Sequence, residues 1–429
     1  MFIEVKREYR GRYETVGTLQ ANSEEGAIFA YDAAYRGKVH SAGISCALPL
    51  RQDPFSPRET KAFFDGLIPE GSMRTGLAAR FRVGESDFIG ILQHLNKECI
   101  GALMFQGSDG VAQSAPAYRP LSHNELEGLA VTPEASSVKM IAEARLSLAG
   151  AQSKVGLYCA PQSDSGWLLP QGSAPSTHIV KAADQRFTDL AINEALCLEL
   201  ARRCKVRCAD YMLLDLAYPV IAVARFDRIF PDKSTSIEGY PVPWRLHQED
   251  FCQALGFPLY AKYEMADIRY VPFMERLLRQ TSPHFYDDAL RLARQIIFDY
   301  LIGNCDNHIK NYSLLYAPDW QSASLAPAYD LVSTCIYEQF SREMGISLGS
   351  TRALDAVTRD DVALFAGELG VPQKAVLAIA DELAQDVREN LATATEHICK
   401  EGFLVAEQVA QKMCGGINER IKAISAHSF

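Results

Sequence analysis

Residues 296–331 read IIFDYLIGNCDNHIKNYSLLYAPDWQSASLAPAYDL, and the rest of the chain is organised around them. The opening run, Ile296-Ile297-Phe298-Asp299-Tyr300-Leu301-Ile302, has the apolar density of a buried helix. Gly303-Asn304-Cys305 then turns the chain into Asp306-Asn307-His308-Ile309-Lys310-Asn311. A strand-like segment over 312–316, a Pro-containing turn and Ala328-Tyr329-Asp330 follow. In isolation the polar loop also suits a plain connector, with Asp306 capping and Asn311 turning the chain. Its density argues otherwise: Asn304, Asp306, His308, Lys310 and Asn311 crowd beside a buried helix, where polar groups are costly.

The spacing has a chemical reading. An Asp and an Asn five positions apart on a tight loop can face one cavity, the carboxylate at a hydroxyl and the amide oxygen on a hard cation. A second Asp beyond a hairpin-length gap completes the set used in phosphoryl transfer. Magnesium takes oxygen ligands and keeps several waters, so one carboxylate, one amide and the phosphates of a nucleotide suffice.

GNCDNHIKNYSLLY and the following LAPAYDLVST closely resemble the HipA family of bacterial serine/threonine kinases, the toxin halves of toxin–antitoxin pairs. The resemblance covers roughly residues 1–350 and is specific from 145 onward. It implies an α+β, bilobal protein-kinase-like fold: a small β-rich N-terminal subdomain over 1–110, an ATP-binding lobe over 136–245 and a helical C-terminal lobe over 246–429.

Composition sets the outer limits. A chain of 429 residues accommodates two or three domains. With 48% hydrophobic and 22% charged residues it describes an ordinary protein with a sizeable core and no membrane span. The N-terminus, MFIEVKREYRGRYE, is charged and strand-like, unlike a secretory signal. Eleven cysteines lack paired metal spacing, Cys204-x3-Cys208 being the nearest approach, which predicts buried thiols in a reducing cytoplasm. A net charge of −10 argues against tight DNA binding by the chain alone.

Short strands are expected at 2–5, 13–19, 27–31 and 101–105, with helices from about Arg58 and over 88–95. Gly66-Leu67-Ile68-Pro69-Glu70-Gly71 resembles a family turn in the N-terminal subdomain, and equally suits a simple helix stop. Residues 106–135, with several Gly, Pro, Ser and Ala, are expected to form a boundary loop. Beyond it, residues 145–158 read as strand, small-residue turn and strand. That arrangement lets backbone N–H groups approach a phosphate, and by spacing alone also suits a plain hairpin. Against the family, SLAGAQSK resembles the nucleotide loop, which puts Ala149, Gly150, Ala151, Gln152, Ser153 and Lys154 around ATP and makes Ser147 the autophosphorylated serine.

His178-Ile179-Val180-Lys181 has the form of a strand ending in the lysine that kinases set against the α- and β-phosphates. In the helix expected over 188–204, Glu194 is the candidate partner of Lys181, a structural role being equally open. Ala224-Arg225-Phe226-Asp227-Arg228 resembles the family's adenine-holding hinge, with Ala224 in place of a glutamate. Gln248-Glu249-Asp250 matches the segment that starts the family's helical lobe and could also cap a helix. Helices are expected over 285–301, 359–368, 372–391 and 402–426.

The resemblance implies that Asp306 deprotonates the acceptor hydroxyl and that Asn311 and Asp330 ligate Mg2+. It sets His308, Ile309, Lys310, Asn311, Tyr329 and Asp330 at the ATP. It further implies a cytoplasmic kinase, a HipB-like DNA-binding antitoxin as partner, contact with DNA only through that antitoxin, and a protein substrate for which the family suggests an aminoacyl-tRNA synthetase such as the glutamyl enzyme. A homodimer is left open. Two other readings stand beside this one: a non-catalytic corepressor subunit, and a small-molecule kinase.

Overall fold

The computed structural model describes residues 2–22, 26–95, 98–107 and 115–426. The chain divides into two compact units: Met1–Thr188 with Leu214–Leu259 and Leu315–Ser322, and Asp189–Leu213 with Tyr260–Leu314 and Ala323–Phe429. The class is α+β, as expected.

The first unit opens on an antiparallel sheet in the order Gly26–Tyr31, Arg12–Asn22, Phe2–Tyr9, Leu103–Gly107. Ile3 and Val5 alternate with exposed neighbours and are fully buried, the period-two signature of a sheet with one wet face. Arg10 and Gly11 both have positive φ, which matches the two-residue hairpin turn that follows strand twist. Helix Pro57–Phe64 starts with a reciprocal cap between Ser56 and Glu59 and buries Phe63 and Phe64.

A second sheet in this unit sets Ala117–Pro120, Trp167–Gln171, Lys154–Cys159, His178–Ala182 and Val220–Ala224 side by side, each pair antiparallel. Two expectations fail here. Part of the 106–135 stretch, residues 108–114, lies outside the described residues. The remainder is largely regular, with a strand at Ala117–Pro120 and helices His123–Val131 and Pro133–Ala144. Ser122 and Glu125 cap each other at the start of the first helix, and Pro133 starts the second. Nor do residues 145–148 form a strand paired with Lys154–Cys159. Leu146 bridges Glu98 and Gly150 bridges Pro69 instead, so no simple hairpin forms.

A buried charge cluster lies between these two parts of the first unit. Arg225 holds Asp227 with two bonds of 2.9 and 2.7 Å, Arg228 reaches Glu98 at 2.8 Å, and Arg245 lies 3.9 Å from Glu8 and from Glu98. Burial alone would raise the Asp227 carboxyl, but Arg225 and Arg228 outweigh it and hold it well below the usual range. Glu8 and Glu98 belong to the N-terminal part, so the cluster ties that part to the second sheet. Removing one charge strands the others without water. Asp227→Asn should therefore lower stability by about 3 kcal/mol, read as a shifted urea midpoint with unchanged slope; a midpoint equal to wild type would contradict the cluster's structural role.

Helices Leu190–Arg203, Phe285–Ile302, Gln373–Lys400 and Val405–Ile424 build the second unit. Gln373–Lys400 runs nine residues past the expected end because no breaker occurs before Gly402. Phe285–Ile302 ends at Gly303, whose φ of +74° is left-handed and whose Cα faces Cys335 Sγ too closely for a Cβ. The buried Arg420 guanidinium donates to the Leu301 carbonyl at 3.0 Å, a favourable charge at a helix C-terminus. Among the described residues no helix is long and apolar enough to cross a membrane. The cysteines are free thiols, and burial pushes that of Cys99 up to about 12.

Candidate active site

The polar loop hangs from Asp299, on the last turn of Phe285–Ile302 and fully within the core. Its carboxyl accepts from Asn304 Nδ2 at 2.8 Å and from the Tyr312 hydroxyl at 2.9 Å. Burial pushes this carboxyl up to about 7, against the lowering effect of those two bonds. Asn304 Oδ1 in turn accepts the Asp306 N–H at 3.1 Å, so a buried side chain fixes where Asp306 begins.

Asp306 is then wrapped by its own loop. Its carbonyl accepts the His308 N–H and Asn311 Nδ2, each at 2.8 Å. The amide nitrogen of Asn311 is thereby committed, and Oδ1 is the atom that can ligate a cation. Tyr329 donates its hydroxyl to the Lys310 carbonyl at 2.7 Å and lies 2.5 Å from Ser313 Oγ, which pins the residue before Asp330 to the loop. Asp330 itself has φ +53°, a left-handed conformation that non-glycine residues hold only where the surroundings impose it.

The segment after Asp330 is tied back as well. Asn193 bonds the Ser333 N–H at 2.9 Å and its carbonyl at 3.0 Å, and Thr334 Oγ1 accepts the Cys305 N–H at 2.7 Å. On the other side, Gly345 lies so close that a Cβ would sit 2.6 Å from the His308 nitrogen, and its N–H donates to Asn307 Oδ1 at 2.7 Å.

The second unit thus gathers Asp306, His308, Lys310, Asn311, Tyr329 and Asp330 on one hydrogen-bonded frame. The Asp306 side chain remains 54% exposed. The His308 ring is buried, which lowers its pKa even though Nε2 lies 4.0 Å from Asp306 Oδ1. Ile309 does not join them: its side chain is in the core and its N–H donates to the Lys262 carbonyl. Glu194 is buried within Leu190–Arg203. A carboxylate and an amide oxygen are the donor set a hard cation accepts, so Asp330 and Asn311 fit magnesium.

The first unit carries the other candidates. Ser147 is fully buried; its N–H donates to the Glu98 carbonyl at 2.7 Å and its hydroxyl to the Leu67 carbonyl at 2.6 Å. The Gly150 carbonyl accepts the Glu70 N–H at 3.0 Å, so the turn over 66–71 braces residues 146–150. Gly150 has φ +103°, and a Cβ there would meet Lys154 Nζ at 2.7 Å, so the lysine folds over its own loop. Ala149, Ala151, Gln152 and Ser153 complete that loop, with the Ser153 carbonyl accepting from Ala182.

Lys154 stands directly opposite Lys181 in the strand register. Directly opposed residues share a sheet face, so the two lysines can be turned toward one anion. The hinge candidates are less uniform. Ala224 is paired with His178, Phe226 is half-buried, and Arg225 is turned into the charge cluster with its N–H donated to the Thr177 carbonyl. Arg225 therefore has neither its guanidinium nor its N–H available to a nucleotide.

Comparison with known proteins places the chain in a family. A HipA-like C-terminal domain matches residues 146–391, and a HipA N-terminal domain matches residues 12–106. A putative kinase of Sinorhizobium fredii, Y4mE, is 33% identical over 378 residues, covering 86% of each chain. The serine/threonine-protein kinase toxin HipA of Shewanella oneidensis is 26% identical, over 81% of this chain and 80% of that one. The solved complex of Shewanella oneidensis HipA, HipB and operator DNA superimposes with a TM-score of 0.78 at 20% identity, over 98% of this chain and 96% of that one, a likeness of fold. Matched across more than half its length and by a relative a third identical, the chain belongs to the HipA-like kinase family.

Proposed function

We propose that this chain transfers the γ-phosphoryl group of ATP to a serine or threonine hydroxyl of a protein, as the toxin of a toxin–antitoxin pair. The observation that carries the reading is the single frame on which Asp306, Asn311 and Asp330 are held, through Asn311 Nδ2 to the Asp306 carbonyl and Tyr329 to the Lys310 carbonyl. Asp306 orients and deprotonates the acceptor hydroxyl. Asn311 and Asp330 would hold magnesium, which would neutralise phosphate charge as it builds. Lys181 and Lys154 supply the cationic face for the phosphates, and Lys310 adds charge beside the transferred group.

The partner follows from chemistry and likeness together. The relative is named as a toxin kinase, and the similar structure is a complex with HipB and operator DNA. A chain of net charge −10 suits contact with DNA through a basic antitoxin. An aminoacyl-tRNA synthetase is the substrate class suggested by the family resemblance.

The test is incubation of the purified chain with γ-labelled ATP and magnesium, alone and with cell extract, followed by mass spectrometry of labelled peptides. Label on Ser or Thr is expected, and Asp330→Asn should need about tenfold more magnesium for half-maximal rate. Label only on small molecules, or none at any magnesium concentration, would overturn the proposal; an unchanged magnesium titration would remove Asp330 as a ligand.

A further inference from the structure

The Asp306 carboxylate has a hydroxyl on it already. Tyr263 donates its phenol to Asp306 Oδ1 at 2.5 Å. The sequence reading assigned this tyrosine nothing. Its ring meets the His308 ring edge-on, with centroids 5.1 Å apart.

The backbone under Tyr263 is firmly held. The Lys262 carbonyl accepts the Ile309 N–H at 3.1 Å, and the Tyr270 hydroxyl reaches the carbonyls of Ala261 and Tyr263 at 2.7 and 3.0 Å. Glu264 donates its N–H to the Gly345 carbonyl and accepts the Tyr270 N–H. The segment is therefore built against the loop rather than draped over it. The phenol, by contrast, is partly exposed: Tyr263 is 40% and the Asp306 side chain 54% accessible.

We propose that Tyr263 is a positioning residue that stands in for the acceptor: its hydroxyl occupies the base until an acceptor hydroxyl displaces it, and so keeps water from being activated there. This rests on Asp306 being the base. A base at an exposed loop can orient water as readily as serine, and the γ-phosphoryl group would then be lost to hydrolysis: a water oxygen bonds to the γ-phosphorus, the bond to the β-phosphate oxygen breaks, and ADP and phosphate leave, with the water proton on Asp306. A hydroxyl already bound to that oxygen must be displaced first, and a bond to a charged group is strong enough for its loss to matter about tenfold.

The experiment compares phosphate release from ATP and magnesium, without added acceptor, for wild type, Tyr263→Phe, Asp306→Asn and the double variant. Phenylalanine keeps the ring on His308 and removes only the hydroxyl. Protein-bound label is measured in parallel, so hydrolysis and self-phosphorylation are separate readouts. Release about tenfold faster in Tyr263→Phe, and abolished again in the double variant, is expected. Release equal to or slower than wild type, with Asp306→Asn inactive, would overturn the Tyr263 assignment and leave the kinase reading intact. Phosphate found on Tyr263 would also overturn it, by making the tyrosine an acceptor. Equal label transfer by wild type and Asp306→Asn would instead remove the base on which the assignment stands.

Discussion

Asp306→Asn should lower phosphoryl transfer by about 10²–10⁴-fold while leaving melting temperature and ATP affinity near wild type. The contacts that shape the loop run through the main chain of Asp306: its N–H to Asn304, and its carbonyl to His308 and Asn311. None of them uses the carboxylate. The side chain is largely solvent-exposed, so no buried charge is created or removed. The new amide could still accept the Tyr263 hydroxyl, so that contact also survives. What disappears is the ability to take a proton. Initial rates at saturating ATP and magnesium, together with a thermal melt, measure both halves of the expectation. Activity within a few-fold of wild type would remove Asp306 from the role of base.

The loop was legible because its chemistry is condensed in sequence. Asp306, Asn311 and Asp330 lie within 25 residues, and the polar density around them, not the spacing alone, marked the loop as more than a connector. What holds them was not legible. Asp299 reads as one polar position in an apolar run, and only the fold reveals that Asn304 and Tyr312 both bond to it. Asn193 lies 140 residues from Ser333, and Tyr263 lies 43 from Asp306. Periodicity carries no information about such contacts.

One misreading has a specific cause. The 106–135 stretch was taken for a loop on its Gly, Pro, Ser and Ala content. The Ser122-x-x-Glu125 cap, which was available as a helix signal, outweighs that content. The Ala224-Arg225-Phe226-Asp227-Arg228 run, which the resemblance makes a hinge, carries a second feature that was not legible. Its charges turn inward because Glu98, more than a hundred residues earlier, is buried beside them. A cluster assembled from distant segments cannot be inferred from any one of them. The strand ending in Lys181 was read correctly as an element, whereas its register opposite Lys154 emerged only with the sheet.

Phosphorylation of Ser147 should weaken ATP binding by about 10³-fold. Ser147 is not a strand residue with a local bond; its hydroxyl donates to a carbonyl 80 residues away, in a site with no exposed surface. A phosphate adds about −1.5 to −2 charge and only acceptor oxygens at neutral pH, so it would face the Leu67 carbonyl acceptor to acceptor. Burying that charge without a donor is far costlier than leaving the site. The segment over 146–150 must then come away from its two anchors, the Glu98 carbonyl and the Glu70 N–H. Once it does, the backbone around Gly150 is no longer held beside Lys154. Losing two or three bonds to charged phosphates, each worth about 1.5–3 kcal/mol, amounts to roughly 4 kcal/mol, which gives the thousandfold figure. Ser147→Ala separates the switch from mere loss of the hydroxyl, because it removes one bond without adding charge and should bind ATP within a few-fold of wild type. Calorimetry on the isolated phosphoform, beside the same chain after phosphatase treatment, measures the effect directly. Equal affinities in the two samples would mean that the phosphate is accommodated without moving the loop, and the switch would have to be abandoned.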